Sequence, residues 1–158
     1  MEESSEIKAK PQRQLLIATD GSESAEEAAD FGIEMVGSGK GKVYAVYVID
    51  TTSYGSIPMN EIWSKEGYEQ FEKMGREATA YVEEKAKAAG LEAESILLNG
   101  NPAEEIVNFA EEQKVDMIIV GSLGKGRFER VVLGSVSEKI VRHAKVPVLV
   151  VRERHKRK

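Results

Sequence analysis

Residues 117–135 read MIIVGSLGKGRFERVVLGS, an apolar run that breaks at Gly121 and Gly124 and again at Gly134 and Ser135, in the spacing Gly-x2-Gly-x9-Gly-Ser. The run from Met117 to Val120 has the composition of a strand covered on both faces. An amphipathic run opens at Val136 and extends to Val141, so the glycines stand between a buried strand and a helix. Backbone amides presented there, beside a helix N-terminus, favour an anion. A nucleotide phosphate is the leading ligand for such a segment.

The hydrophobic period switches regularly on both sides of that stretch. Leu15 to Ala18 forms a short continuous apolar run that ends at Thr19-Asp20-Gly21-Ser22. Ser24 with Glu27 has capping-box spacing, and Ala25, Ala28, Ala29, Gly32, Met35 and Val36 then share one helical face up to about Gly37. Val43 to Ile49 alternates and is rich in β-branched and aromatic residues, predicting a second strand that stops at Asp50. Residues 51–67, with Pro58 and two glycines, read as a long loop. Phe71, Met74, Ala78, Tyr81, Val82 and Ala89 mark one side of a helix ending at Gly90, and Ala93 to Leu98 is a third strand. Asn101 and Pro102 read as N-cap and first helical residue, with Ile106, Val107 and Ala110 facing inward before Lys114. A last helix ends near Ala144, and Val148 to Val151 follows Pro147 as a fifth strand.

Apolar strands alternating with helices call for a parallel sheet covered on both faces, because each crossover must be right-handed and must bury the sheet. The prediction is a single-domain, doubly wound five-stranded α/β fold. If the chain winds outward from the first strand and returns to its other side at the fourth, the order is 3-2-1-4-5, and Asp20 and Gly121 come side by side. Ligands in such sheets lie beyond the carboxyl ends of the strands where the order reverses. The expected organisation is a flexible tail over 1–13, the domain over 14–152 and a basic tail over 153–158.

With 158 residues, 41% of them apolar and 31% charged, the chain suits one soluble domain with a sizeable core. No window resembles a membrane span, and the polar, partly acidic start MEESSEIKAKPQRQ is unlike a signal peptide, so a cytoplasmic location is expected. The absence of cysteine excludes disulfides, thiolate nucleophiles and Cys-type zinc sites. A net charge of −5 argues against general nucleic-acid binding, and the basic end from Arg152 to Lys158 reads as a solvated tail.

Taken together, these segments resemble the universal stress proteins, and in particular their ATP-binding branch. The resemblance runs from Leu15 to Val151 and rests on ATDGS, YVID, NPAEEI, IIVGS, the glycine signature and the closing PVLVV. It implies the 3-2-1-4-5 sandwich of the adenine nucleotide alpha hydrolase-like class. It also implies ATP, or ADP or AMP, as ligand, magnesium or manganese with the phosphates, and a homodimer formed through strand 148–151.

Carried over residue by residue, the resemblance puts Ala18, Thr19 and Asp20 beside the adenosine, with Asp20 near the ribose or a water-bound metal. Val48 matches a position whose backbone contacts the adenine edge. Gly121, Ser122, Gly124, Lys125, Gly126 and Arg127 occupy the phosphate and ribose loop, and Gly134, Ser135 and Val136 the second phosphate contact. Glycine permits close backbone approach to phosphate oxygens, and Ser135 adds a hydroxyl donor. Leu123 departs from the polar or basic residue of many members, and Gly126 adds a third glycine to the first loop. Both changes keep the backbone amides.

Other readings of the same residues are bounded by their chemistry. Gly121-x4-Gly126 has P-loop spacing, but Arg127-Phe128 stands where the Lys-Ser/Thr pair is needed, and no G-x-G-x-x-G follows the first strand. The glycines also suit tight turns and helix-to-sheet packing, and Asp20 also suits a helix start. His143 and His155, the only histidines, fall late in the last helix and in the tail, so no catalytic residue is assigned. Asp50 reads as a strand end. Trp63 and Tyr68 suit either a lid over the nucleotide or packing against the long helix. The reading is therefore a nucleotide-dependent sensor or switch acting on a protein partner the sequence does not name. A slow Mg-dependent ATPase and a nucleotide-independent dimeric scaffold are the alternatives, the signature disfavouring the scaffold.

Overall fold

Alternate residues of the central strands are apolar on both sides, and the two sides feed separate cores. In the computed structural model, which describes residues 13–36, 40–52, 64–123 and 133–153, the elements are β1 (Arg13–Ala18), α1 (Glu23–Val36), β2 (Gly41–Asp50), α2 (Lys65–Ala88), β3 (Glu92–Gly100), α3 (Pro102–Gln113), β4 (Met117–Gly121), α4 (Ser135–His143) and β5 (Val148–Val151). The strands form one sheet of order β3-β2-β1-β4-β5, parallel throughout. Register is set by pairs such as Ile17 with Ala45 and Ile17 with Ile119. The predicted order and strand set are those observed.

Leu15, Ile17, Val43, Ala45 and Ile119 point to one face, where Ala28, Ala29 and Ile33 of α1 and Val82 and Ala86 of α2 cover them. Leu16, Tyr44, Val46, Ile118 and Val120 point to the other, under Ala103, Ile106, Val107 and Ala110 of α3 and Ile140 of α4. Each fully buried aliphatic side chain contributes about 1.5–3 kcal/mol relative to exposure, so a double-faced sheet is the main source of stability. No helix among the described residues is long and apolar enough to cross a membrane.

The α3 start is as read from sequence. The Asn101 side chain accepts the Glu104 N–H at 3.2 Å, Pro102 opens the helix, and Lys114 ends it in the left-handed region at φ 54°. Two details of α1 and α2 differ from expectation. Met35 is 58% exposed, and Ile33 takes the inward place, because Gly32 lies so close to β4 that its missing Cβ would stand 2.5 Å from Ile119 Cδ1. That approach rotates the helix toward Ile33. On α2 the buried positions include Gly75 and Thr79, and a Cβ on Gly75 would stand 2.7 Å from Tyr47 Cδ1 and 3.0 Å from Leu97 Cδ2 of the sheet.

Candidate functional site

The β1–β4 boundary is the place where strand order reverses, and the chain after β1 is tightly self-bonded. Thr19 N–H donates to Val46 O at 2.9 Å, and Thr19 Oγ1 accepts the Gly21 N–H at 3.1 Å. The Asp20 carboxylate accepts the Ser22 N–H at 2.9 Å, an Asx turn that fixes its direction. Gly21 turns the chain at φ 81°, a conformation a Cβ disfavours. Ser22 Oγ then accepts the Ala25 N–H at 3.2 Å. The cap is thus Ser22, not the expected Ser24, because the left-handed turn at Gly21 starts α1 two residues earlier.

Ser24 instead packs inward, 1% exposed, with its Oγ buried and lacking a hydrogen-bond partner among the described residues. A Cβ on Gly121 would lie 2.7 Å from that Oγ and 3.0 Å from the Ser24 carbonyl oxygen. Gly121 is therefore required by the approach of the first turn of α1 to the end of β4.

Beyond Gly121, one hydrogen bond ties the end of β4 to β5 and two tie it to the start of α4. Ser122 N–H donates to Val151 O at 2.9 Å, and Gly134 N–H donates to Ser122 O at 2.6 Å. Ser137 Oγ donates to Gly121 O at 2.7 Å. Gly134 is the N-cap of α4, extended at φ −66° and ψ 158°, and offers no capping side chain, whereas α2 and α3 are capped by Ser64 and Asn101. The first-turn amides of Ser135, Val136 and Ser137 thus have no side-chain acceptor from the cap, and such amides suit an anion. The N–H of Gly134 is spent inside the protein. Ser135 and Val136 are exposed at the helix start.

Ala18 and Val48 border the same face of the sheet, half-buried beside the α3–α4 core. Asp50 Oδ1 accepts both the N–H and the hydroxyl of Thr52, at 2.8 and 2.7 Å, consistent with a strand-ending turn. Tyr68 donates to Asn99 Oδ1 at 2.8 Å, which docks the start of α2 on β3. His143 is exposed at the opposite end of α4 from Ser135. Gly124, Lys125, Gly126 and Arg127 lie outside the described residues, as do Trp63 and His155. The buried serines Ser24 and Ser137 were not foreseen. Their signal was available, since each is a small polar residue on the inward face of its helix, Ser137 one turn before Ile140.

A model of the universal stress protein family matches residues 12–152. Universal stress protein MJ0531 of Methanocaldococcus jannaschii is 38% identical over 141 residues, covering 89% of this chain and 82% of that protein. Among solved structures, the hypothetical protein MJ0577, described as a structure-based assignment of biochemical function, has a TM-score of 0.81 at 29% identity, covering 93% of this chain and 100% of that one. A universal stress protein in complex with cAMP has a TM-score of 0.63 at 26% identity, covering 90% of this chain and 98% of that one.

Proposed function

Because the chain belongs to the universal stress protein family, we propose that it binds an adenine nucleotide, ATP or a lower phosphate, in the crevice between the ends of β1 and β4 and acts as a nucleotide-dependent switch in a stress response. The observation that carries this reading is the 2.6 Å bond from Gly134 N–H to Ser122 O, which holds the two ends of the signature next to the uncapped start of α4. The cAMP complex of a relative supports the adenine class.

In this reading Ala18, Thr19 and Val48 flank the base and ribose, and Ser122, Ser135 and Val136 lie along the phosphates. Gly124, Lys125, Gly126 and Arg127 complete the phosphate loop by family resemblance. Asp20 is the carboxylate available to the ribose or to water on a magnesium or manganese ion carried by the phosphates. Residues 14–152 form the nucleotide-binding unit, and the protein works in the cytoplasm. The free edge of β5, bonded within the sheet only to β4, pairs with a second copy, since a bare apolar edge invites association.

The test is to denature freshly purified protein and identify released small molecules by mass spectrometry. An adenine nucleotide near one per chain is expected. Protein that releases none, and gains no thermal stability from millimolar ATP, ADP or AMP, contradicts the reading.

A further inference from the structure

Two consecutive carbonyls at the end of β4 are held by two residues one turn apart on α4. Gly134 N–H reaches Ser122 O, and Ser137 Oγ reaches Gly121 O across 16 residues of chain. We propose that Ser137 is a positioning residue of the nucleotide site, its hydroxyl setting the rotation of the first turn of α4 and so the direction of the Ser135 and Val136 N–H groups. This rests on the nucleotide reading above.

Attachment at Gly134 fixes the distance of the helix start from β4 and burial of Ile140 fixes the next turn, which leaves the first turn the freedom to tilt or fray between them. Residues three apart share a helical face, so a second bond from Ser137 removes that freedom. In a capping box the residue at this place turns its side chain back to the N-cap N–H. Here the Gly134 N–H is engaged by Ser122 O, which leaves the Ser137 side chain to cross to the strand. Ser137 is 7% exposed, so it reaches the bound nucleotide only through the amides it orients. Helix propensity offers no reason for serine here, since alanine is the better helix former.

The experiment titrates ATP by calorimetry into the full chain and into Ser137→Ala, Ser137→Val and Ser137→Thr, with thermal midpoints measured alongside. Threonine and valine match in shape and differ in the hydroxyl. Ala and Val variants are expected to raise Kd about threefold to tenfold, the factor that one neutral hydrogen bond supplies, while Thr keeps the wild-type value and all remain folded. Wild-type affinity in the Ala and Val variants overturns the role of Ser137 and leaves the nucleotide reading standing. Equal weakening in Thr assigns the effect to packing and overturns it too, as does failure of the Ala and Val variants to fold. A wild-type chain that ignores ATP sinks both readings.

Discussion

Gly121→Ala adds one methyl group at the junction of β4 and α1, and its effect can be worked from three distances. The new Cβ would stand 2.7 Å from Ser24 Oγ, 3.0 Å from the Ser24 carbonyl oxygen and 3.1 Å from the carbonyl carbon. The hydroxyl contact can be relieved by rotation or removal, but the two backbone contacts require the first turn of α1 to shift. Overpacking of this kind costs about 1–3 kcal/mol. The backbone at Gly121 lies outside the left-handed region, so alanine regains about 0.4–1 kcal/mol through the unfolded chain. Taking the middle of each range, the net loss is about 1.3 kcal/mol, which lowers the thermal midpoint of a chain this size by roughly 3–5 °C. Urea denaturation measures it. Ser24→Ala alone is expected to be neutral or stabilising, because it removes a buried hydroxyl that has no partner among the described residues. Combined with Gly121→Ala it should recover part of the loss, a positive coupling in a double-mutant cycle. Gly121→Ala within about 0.5 kcal/mol of wild type, or a strictly additive double variant, refutes the close approach of α1 to β4.

Ser22→Ala removes the side chain that accepts the Ala25 N–H and should cost about 1 kcal/mol, seen as a fall in urea midpoint; an unchanged midpoint returns the cap to another residue. Burial pushes the Tyr81 phenol up to about 12, helped by the Asp30 carboxylate that accepts its O–H. A raised folded value means that this contribution is whole below the unfolded value of about 10 and is lost as pH rises toward 12. Absorbance titration should find a late tyrosine step that Tyr81→Phe abolishes; a late step unchanged in Tyr81→Phe, or none at all, contradicts it. Light scattering over a concentration series should give the mass of two chains, and a strict monomer counts against pairing through β5.

The fold was legible because the continuous apolar runs of β1 and β4, the alternation in β2 and the helical face of α3 follow one another between clear turn residues. Glycine and proline punctuation then placed most boundaries within a residue or two. Where the sequence misled, contacts between distant elements decided. Met35 lost the inward place to Ile33 because Gly32 meets Ile119, and no pattern within α1 encodes that meeting. Gly75 escaped notice because its burial comes from smallness, not hydrophobicity. At the candidate site, the glycine spacing raised the expectation of an anion-binding segment, yet the bonds between the end of β4 and the start of α4, Gly134 to Ser122 and Ser137 to Gly121, join residues whose separation in sequence says nothing of their contact. For Asp20 the helix-start reading is met by its Asx turn with the Ser22 N–H, while its ligand role belongs to the proposal.

Amide-resolved NMR during an ATP titration tests the nucleotide site most directly. The largest shift changes are expected on Thr19, Asp20, Ser122, Ser135 and Val136, saturating together at one nucleotide per chain, with the Gly134 amide moving less because its proton already serves Ser122. No saturable change, or changes centred on residues away from the ends of β1 and β4, would contradict it.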